Sequence, residues 1–413
     1  MTEPSSQETQ TFLIVGASLA GAKAAETLRK EGFAGRVVLV GEEPEVPYER
    51  PPLSKGYLLG TDERQNAFVH ERVWYDKQNI ELRSGLRIEA IDPAAHTVTA
   101  VTGERLDYNK LLLTTGSVVR RLQVPGADLD GVHYLRRVEH ADALRTVLGQ
   151  AGRLVVVGGG WIGLEATAAA RTHGASVTLV EVASLPLQRV LGDEVAQVFA
   201  DLHVEHGVDL RLGAGIREIT GSGGRVESVV LDDGTSVPAD AVVVGVGITP
   251  AVELAEAAGL DVDNGVLVDS TLRTSDPDIY AAGDVANADN PLLGRHIRVE
   301  HWANALNGGP AAARSMLGQE VVYDPVPYFF SDQYDLGMEY SGYAEPGGYD
   351  QVVFRGDVPG REFIAFWLAD GRVVAGMNVN VWDVTDDVQR LIRSGERVDP
   401  DRLTDPAVPL AEV

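Results

Sequence analysis

The stretch Leu154-Val-Val-Val-Gly-Gly-Gly-Trp-Ile-Gly-Leu-Glu165, continued by Val177-Thr-Leu-Val-Glu181, constrains this chain more than any other. Leu154 to Val157 is an apolar, β-branched run of the kind that forms a parallel strand buried on both faces. Gly158, Gly160 and Gly163 follow at G-x-G-x-x-G spacing, and the alanine-rich segment after them reads as a helix that Gly174 stops. A second strand, Val177 to Val180, ends at Glu181, 23 residues after Gly158. Each glycine answers a separate need. The first permits the tight turn, the second lets a pyrophosphate approach the backbone, and the third lets helix and strand pack closely. The helix N-terminus offers free N–H groups and the positive end of its dipole to phosphate. Glu181 would accept hydrogen bonds from a ribose diol and repel a 2′-phosphate, which favours NAD over NADP.

The same pattern occurs a second time. Thr11 to Val15 is a strand that runs into Gly16-Ala-Ser-Leu-Ala-Gly21, and a helix follows to about Lys30, with Gly32 as its cap. Arg36 to Val40 is the next strand, with Glu42 just after it. Ser18 stands where the middle glycine is usual; serine is small enough to admit a pyrophosphate, and its hydroxyl can donate to one. A chance turn would not bring strand, helix and acid together.

Composition removes several chemistries. The 413 residues, enough for two or three domains, include no cysteine, which excludes disulfides, thiolate-held iron–sulfur clusters, a cysteine nucleophile and a redox-active cysteine pair. A formal net charge of −26 argues against nucleic-acid binding, which needs a basic face. No run of about twenty apolar residues is present, so no membrane span is expected. The polar, acidic N-terminus resembles neither a signal nor a transit peptide, and a cytoplasmic location is expected.

Between the repeats, Tyr48-Glu-Arg-Pro-Pro-Leu-Ser-Lys55 has adjacent prolines that rule out a helix interior, with Ser54 or a neighbour starting the helix that bears Lys55. Taken alone, it is a surface loop with a solvated lysine. Ile80–Leu82, Leu86–Ile91 and Thr97–Val101 read as short strands, and Lys110-Leu-Leu-Leu-Thr-Thr-Gly116 as a buried one. Ala241 to Val244 is another buried strand ending in glycines. Ile279-Tyr-Ala-Ala-Gly283-Asp284 is an apolar strand whose final carboxylate can meet a ribitol hydroxyl while the backbone N–H meets phosphate. Val299-Glu300-His301-Trp302 opens a helix that runs through Ala313. From Val326 the chain turns to aromatic-rich strands separated by glycines. Three domains are expected: 1–118 with 249–325, 119–248, and an α+β domain at 326–413.

Seven stretches together resemble the FAD-dependent NAD(P)H:ferredoxin reductases that serve bacterial Rieske oxygenases and cytochromes P450. They are Gly16–Gly21, Arg50–Lys55, Thr115-Gly116, Gly158–Gly163, Gly283-Asp284, Glu300–Trp302 and Tyr328-Phe-Phe-Ser-Asp-Gln333, in the right order and spacing. The resemblance implies an α/β flavoprotein of the glutathione reductase-like fold, with two Rossmann-like dinucleotide-binding domains and a C-terminal α+β domain. It places FAD phosphates on Gly16, Ser18, Leu19, Ala20 and Gly21, and the adenosine ribose on Glu42. Arg50, Lys55, Ile88, Thr115, Gly116, Arg136, Gly283 and Asp284 would line the rest of the FAD. The helix start at Glu300, His301 and Trp302 would point at the flavin pyrimidine ring. NADH would take Gly158, Gly160, Trp161, Ile162, Gly163 and Glu181. Disulfide-reductase relatives carry a cysteine pair on the active-site helix, where this chain reads Pro51-Pro-Leu-Ser-Lys-Gly-Tyr57. Electrons would therefore leave FAD one at a time for an outside carrier, a [2Fe-2S] ferredoxin, which feeds the oxygenase or P450. Phe330 stands where relatives often carry tryptophan near the flavin.

Lys55 and Glu165 are the candidate catalytic pair, Lys55 against flavin N5/O4 and Glu165 seven residues after Gly158 on the nucleotide helix. Rival readings are an NADH-binding redox sensor, like apoptosis-inducing-factor-type proteins, and a reductase of another acceptor such as rubredoxin. His203 and His206 have a spacing that suits a metal, but no third ligand is evident, so no metal is expected and a solvated face is the better reading. His301 reads as a packing residue, and Trp367 and Trp382 as core or interdomain contacts. Arg295 and Arg298 are candidates for a basic docking patch, as are Arg390, Arg393 and Arg397, for which a plain solvated helix face is an equally good reading.

Overall fold

A computed structural model describes residues 10–150 and 152–413, which form two compact units. The first comprises the chain through Glu49, Arg64–Val118 and Ile248–Pro325; the second comprises Arg50–Glu63, Val119–Gly247 and Val326–Val413.

The first unit is built on a parallel sheet in the order Ile279–Ala281, Lys110–Leu113, Thr11–Val15, Arg36–Gly41, Ile80–Ser84. Its central strands are near-continuous runs of β-branched and aliphatic residues because both faces are covered; Leu13, Ile14, Val37 and Leu39 are fully buried. Strand order reverses at Thr11–Val15, and the turn Gly16–Gly21 lies at that strand's carboxyl end, where open α/β sheets bind ligands. The helix Leu19–Lys30 packs against the helix Trp302–Met316 so closely that a Cβ on Gly309 would lie 2.1 Å from the Ala20 carbonyl oxygen.

The second unit repeats the design: Asp209–Leu212, Ser176–Glu181, Arg153–Val157, Ala241–Val244, Val132–Tyr134, all parallel. The C-terminal stretch adds an antiparallel sheet ordered Tyr328–Gln333, Leu336–Gly342, Arg372–Val379, Glu362–Ala369, Gln351–Asp357, with the helix Thr385–Ser394 packed on it. Trp367 is fully buried and its indole N–H donates to the Leu191 carbonyl at 3.1 Å. Trp382 corrects its expectation: it lies beside Gly337 but is 54% exposed.

The proline pair also shifts the expected helix. Pro51–Ser54 is a tight 3₁₀ turn, Lys55 adopts non-helical angles, and the α-helix begins only at Gly56. Lys55 is thereby set at a corner between two helical turns, and its side chain is only 16% exposed rather than solvated.

Candidate active site

In the first unit, the turn has the geometry of a phosphate cradle. Gly16 has φ +121°, and a Cβ there would lie 2.1 Å from the Thr114 carbonyl oxygen. Gly21 allows helix and strand to close, since its Cβ would meet the Gly16 carbonyl oxygen at 2.1 Å. Ser18 is the N-cap of Leu19–Lys30, yet its hydroxyl does not cap that helix. Leu19 and Ala20 are buried at the helix start, and Glu42 is exposed at the end of the neighbouring strand. Thr115 donates to the Ala251 carbonyl at 2.9 Å, Gly116 takes φ +68°, and Ile88 is packed in the core.

Also in this unit, Gly283 has φ +77° and faces Ala20, with half-buried Asp284 beside it. His301 is the N-cap of Trp302–Met316, and again no side chain caps the helix. Burial drops the His301 imidazole to about 4, against the opposing pull of Asp284, so it is neutral at neutral pH. The Trp302 indole donates to Glu49 at 2.8 Å, fixing the helix start. Arg298 pairs with exposed Glu300 at 2.5 Å and donates to the Asp284 carbonyl at 3.3 Å. Its side chain is 9% exposed, so Arg298 braces this corner and is not a docking charge. Arg390 donates to the Leu410 carbonyl and Arg397 pairs with Asp370, and both side chains stay exposed.

In the second unit, the three glycines divide their labour as the spacing requires. Gly158 has φ +101°, and a Cβ on Gly163 would lie 2.0 Å from the Gly158 carbonyl oxygen. A Cβ on Gly160 would meet nothing within 4 Å: this face of the turn is open. Gly160 is the N-cap of Trp161–Thr172 and no side chain caps it. Trp161 packs edge-on against Phe199 and Phe329 with its indole N–H buried and unpartnered, while Ile162 is exposed. Glu181 accepts from the Gly159 N–H at 2.5 Å and from the Ala183 N–H at 2.8 Å, which fixes its carboxylate at the strand end.

The same unit brings Lys55 and Glu165 together. Lys55 Nζ lies 2.5 Å from Glu165 Oε1 and 5.4 Å from the centre of the Phe330 ring. Glu165, 4% exposed, also accepts from Ser54 Oγ at 2.5 Å and Ser331 Oγ at 2.7 Å. Ser331 in turn accepts from Gln333 Nε2 at 3.2 Å, and Gln333 Oε1 faces His203 Nε2 at 2.9 Å. His203 is fully buried, correcting the expectation of a solvated face, and burial lowers it to about 4. Sequence reasoning reads Ser54 only as a helix start and His203 as a solvated face, and it misses Ser331 and Gln333, although Ser54, Ser331 and Gln333 all lie within the seven stretches. Arg50 donates to the Arg136 carbonyl, joining two residues expected near FAD. No cluster of metal-ligating side chains exists among the described residues, and none of their helices is long and apolar enough to cross a membrane.

These features fit dinucleotide phosphates. The helices that begin after Ser18 and Gly160 carry no side-chain cap and each directly follows a glycine turn that a Cβ would fill, which suits an anion at their first N–H groups. Residues 10–309 match the family model described as pyridine nucleotide-disulphide oxidoreductase, and residues 328–413 match one described as reductase C-terminal. The chain is 44% identical over 97% of its length, and 98% of the relative's, to the ferredoxin–NAD(+) reductase component of the anthranilate 1,2-dioxygenase system of Burkholderia cepacia. It is similar to the structure of the covalent putidaredoxin reductase–putidaredoxin complex, with a TM-score of 0.94, 37% identity and coverage of 98% and 97% of the two chains. A ferredoxin reductase for the CYP199A2 system from Rhodopseudomonas palustris also matches at a TM-score of 0.94 and 37% identity, covering 98% and 100%.

Proposed function

Since the chain belongs to the pyridine nucleotide-disulphide oxidoreductase family, we propose that it takes a hydride from NADH onto FAD and passes electrons singly to a [2Fe-2S] ferredoxin feeding a cytochrome P450 or Rieske oxygenase. When bound, FAD supplies a ring that accepts two electrons together and releases them one by one. The chain holds no cysteine, so no dithiol relay intervenes between that ring and the outside carrier.

The observation that carries the reading is the Lys55–Glu165 pair, whose carboxylate lies on the helix that begins at the second nucleotide turn. Lys55 supplies the positive charge that balances the electron density the ring gains, and Phe330 forms an apolar wall beside that ammonium. Gly158, Gly160, Trp161, Ile162 and Gly163 take the NADH pyrophosphate, and Glu181 takes its ribose diol. Gly16, Ser18, Leu19, Ala20 and Gly21 take the FAD pyrophosphate, with Glu42 on the adenosine ribose. Arg50, Ile88, Thr115, Gly116, Arg136, Gly283 and Asp284 line the remainder of the FAD. The helix that starts at His301 and Trp302 would offer the positive end of its dipole to the negative charge a reduced flavin carries. We place the protein in the cytoplasm, where NADH and oxidised ferredoxin are both available.

The test is steady-state turnover with NADH, a [2Fe-2S] ferredoxin and cytochrome c as final acceptor. Rapid, ferredoxin-dependent cytochrome c reduction is expected. A long-lived NADH complex with little turnover would instead mark a redox sensor, and faster transfer to rubredoxin would mark a different acceptor.

A further inference from the structure

Beyond the ion pair runs a file of buried hydrogen bonds with a single direction. Glu165, as the ionised member of the pair, only accepts, so the Ser331 hydroxyl donates its one proton to Glu165 Oε1 at 2.7 Å. Ser331 Oγ then accepts from Gln333 Nε2 at 3.2 Å. That orientation turns Gln333 Oε1 to His203, whose Nε2 at 2.9 Å must carry the proton. His203 Nδ1 is left to accept from the Tyr334 hydroxyl at 3.3 Å. Every donor in the file points toward the carboxylate. Ser331, Gln333 and His203 are 1%, 1% and 0% exposed, so no water competes with these bonds, and aligned donors in such surroundings polarise one another. Burial lowers His203 to about 4, so at working pH the ring is neutral with Nδ1 able to accept, and the Gln333 Oε1 contact selects the Nε2–H tautomer. The groups facing His203 are Tyr334 and His206, the latter stacked on the Tyr334 ring at 3.7 Å.

We propose that Ser331, Gln333 and His203 are positioning residues for the Lys55–Glu165 pair, a donor chain that fixes the carboxylate so that the Lys55 ammonium can leave it for the reduced ring. This rests on the role given to the pair under Proposed function. Without the chain, Glu165 would have fewer donors to share its charge and would grip Lys55 harder. Ser54 holds the other carboxylate oxygen, so the anion stays in place when the ammonium moves.

The experiment compares native holoenzyme with Ser331→Ala, Ser331→Thr, Gln333→Leu and Lys55→Met. It measures the midpoint potential of bound FAD and the anaerobic rate of flavin reduction over a range of NADH. A lost hydrogen bond to a charged group predicts that Ser331→Ala slows reduction at saturating NADH about tenfold and lowers the potential, with the NADH dissociation constant unchanged. Ser331→Thr restores both, and Gln333→Leu shifts both the same way by less. Native rate and potential in Ser331→Ala, alongside losses in Lys55→Met, would overturn the donor chain and leave the pair intact. Native behaviour in both would overturn the pair as well. Nitrogen-15 NMR of the native holoenzyme supplies an arm free of mutants: His203 protonated on Nε2 is the expected result, and protonation on Nδ1 reverses the chain and refutes it.

Discussion

Replacing Glu165 by leucine takes the acceptor away from Ser54, Lys55 and Ser331 at once. Removing one partner of a buried ion pair costs about 3–5 kcal/mol, because the other charge is left in a poor solvent. The Lys55 side chain is 16% exposed, so its ammonium retains a way to water, and the lower end, about 3 kcal/mol, is expected. Glutamine is milder. It keeps a carbonyl for Lys55, and the Ser54 hydroxyl, already 3.4 Å from the Pro51 carbonyl, can turn there and accept from the new amide. One rearranged hydrogen bond costs about 1 kcal/mol. Thermal release of FAD, followed by its fluorescence at one scan rate, should show a midpoint lowered by about 5 °C for Glu165→Leu and about 2 °C for Glu165→Gln. The double variant Lys55→Met/Glu165→Leu should recover most of the loss, since an apolar pair does not carry the desolvation cost of an ionic one. A Glu165→Leu midpoint at or above native would refute the reasoning, because the carboxylate would then anchor nothing.

Gly160→Ala enters open space and should leave the thermal midpoint unchanged while weakening NADH binding at least about tenfold, whereas Gly163→Ala, 2.0 Å from a carbonyl oxygen, should lower both; titration calorimetry and melting curves separate them. Glu181→Ala should raise the ratio of kcat/KM for NADPH over NADH by about tenfold or more, by removing repulsion of the 2′-phosphate, as steady-state assays would show. His203 is held below its ordinary value by burial, so the unfolded chain binds the proton more readily and the native state loses stability as pH falls from about 6.5 to about 4. His203→Gln should be flatter than native over that window in urea melts, with the difference constant above it.

Legibility followed the length of chain over which each feature is built. Both nucleotide turns are local: strand, glycines, helix and acid succeed one another within a few tens of residues, and hydrophobic period and glycine spacing encode them directly. Lys55 is different. Its local sequence supports a solvated lysine, and its burial depends on a partner 110 residues away; Glu165 itself is reached from its place seven residues after Gly158 on the nucleotide helix. The donors behind Glu165 come from farther off: Ser331 is 166 residues from it, and Gln333 is 130 from His203. His203 sits on a helix face that alternating polar and apolar residues leave ambiguous, and it is the antiparallel sheet's first strand that supplies its Gln333 partner. Arg298 went astray for the opposite reason. Its partner Glu300 is only two residues on, but a count of positive charges says nothing about which are already paired.

The central claim is that the Lys55 ammonium governs how readily the ring accepts hydride. Stopped-flow reduction of Lys55→Met by saturating NADH under anaerobic conditions, with FAD content matched to native, tests it most directly. The account predicts a rate at least about tenfold lower, the loss expected when one charge aimed at the reacting group is removed; a rate equal to the native one would contradict it.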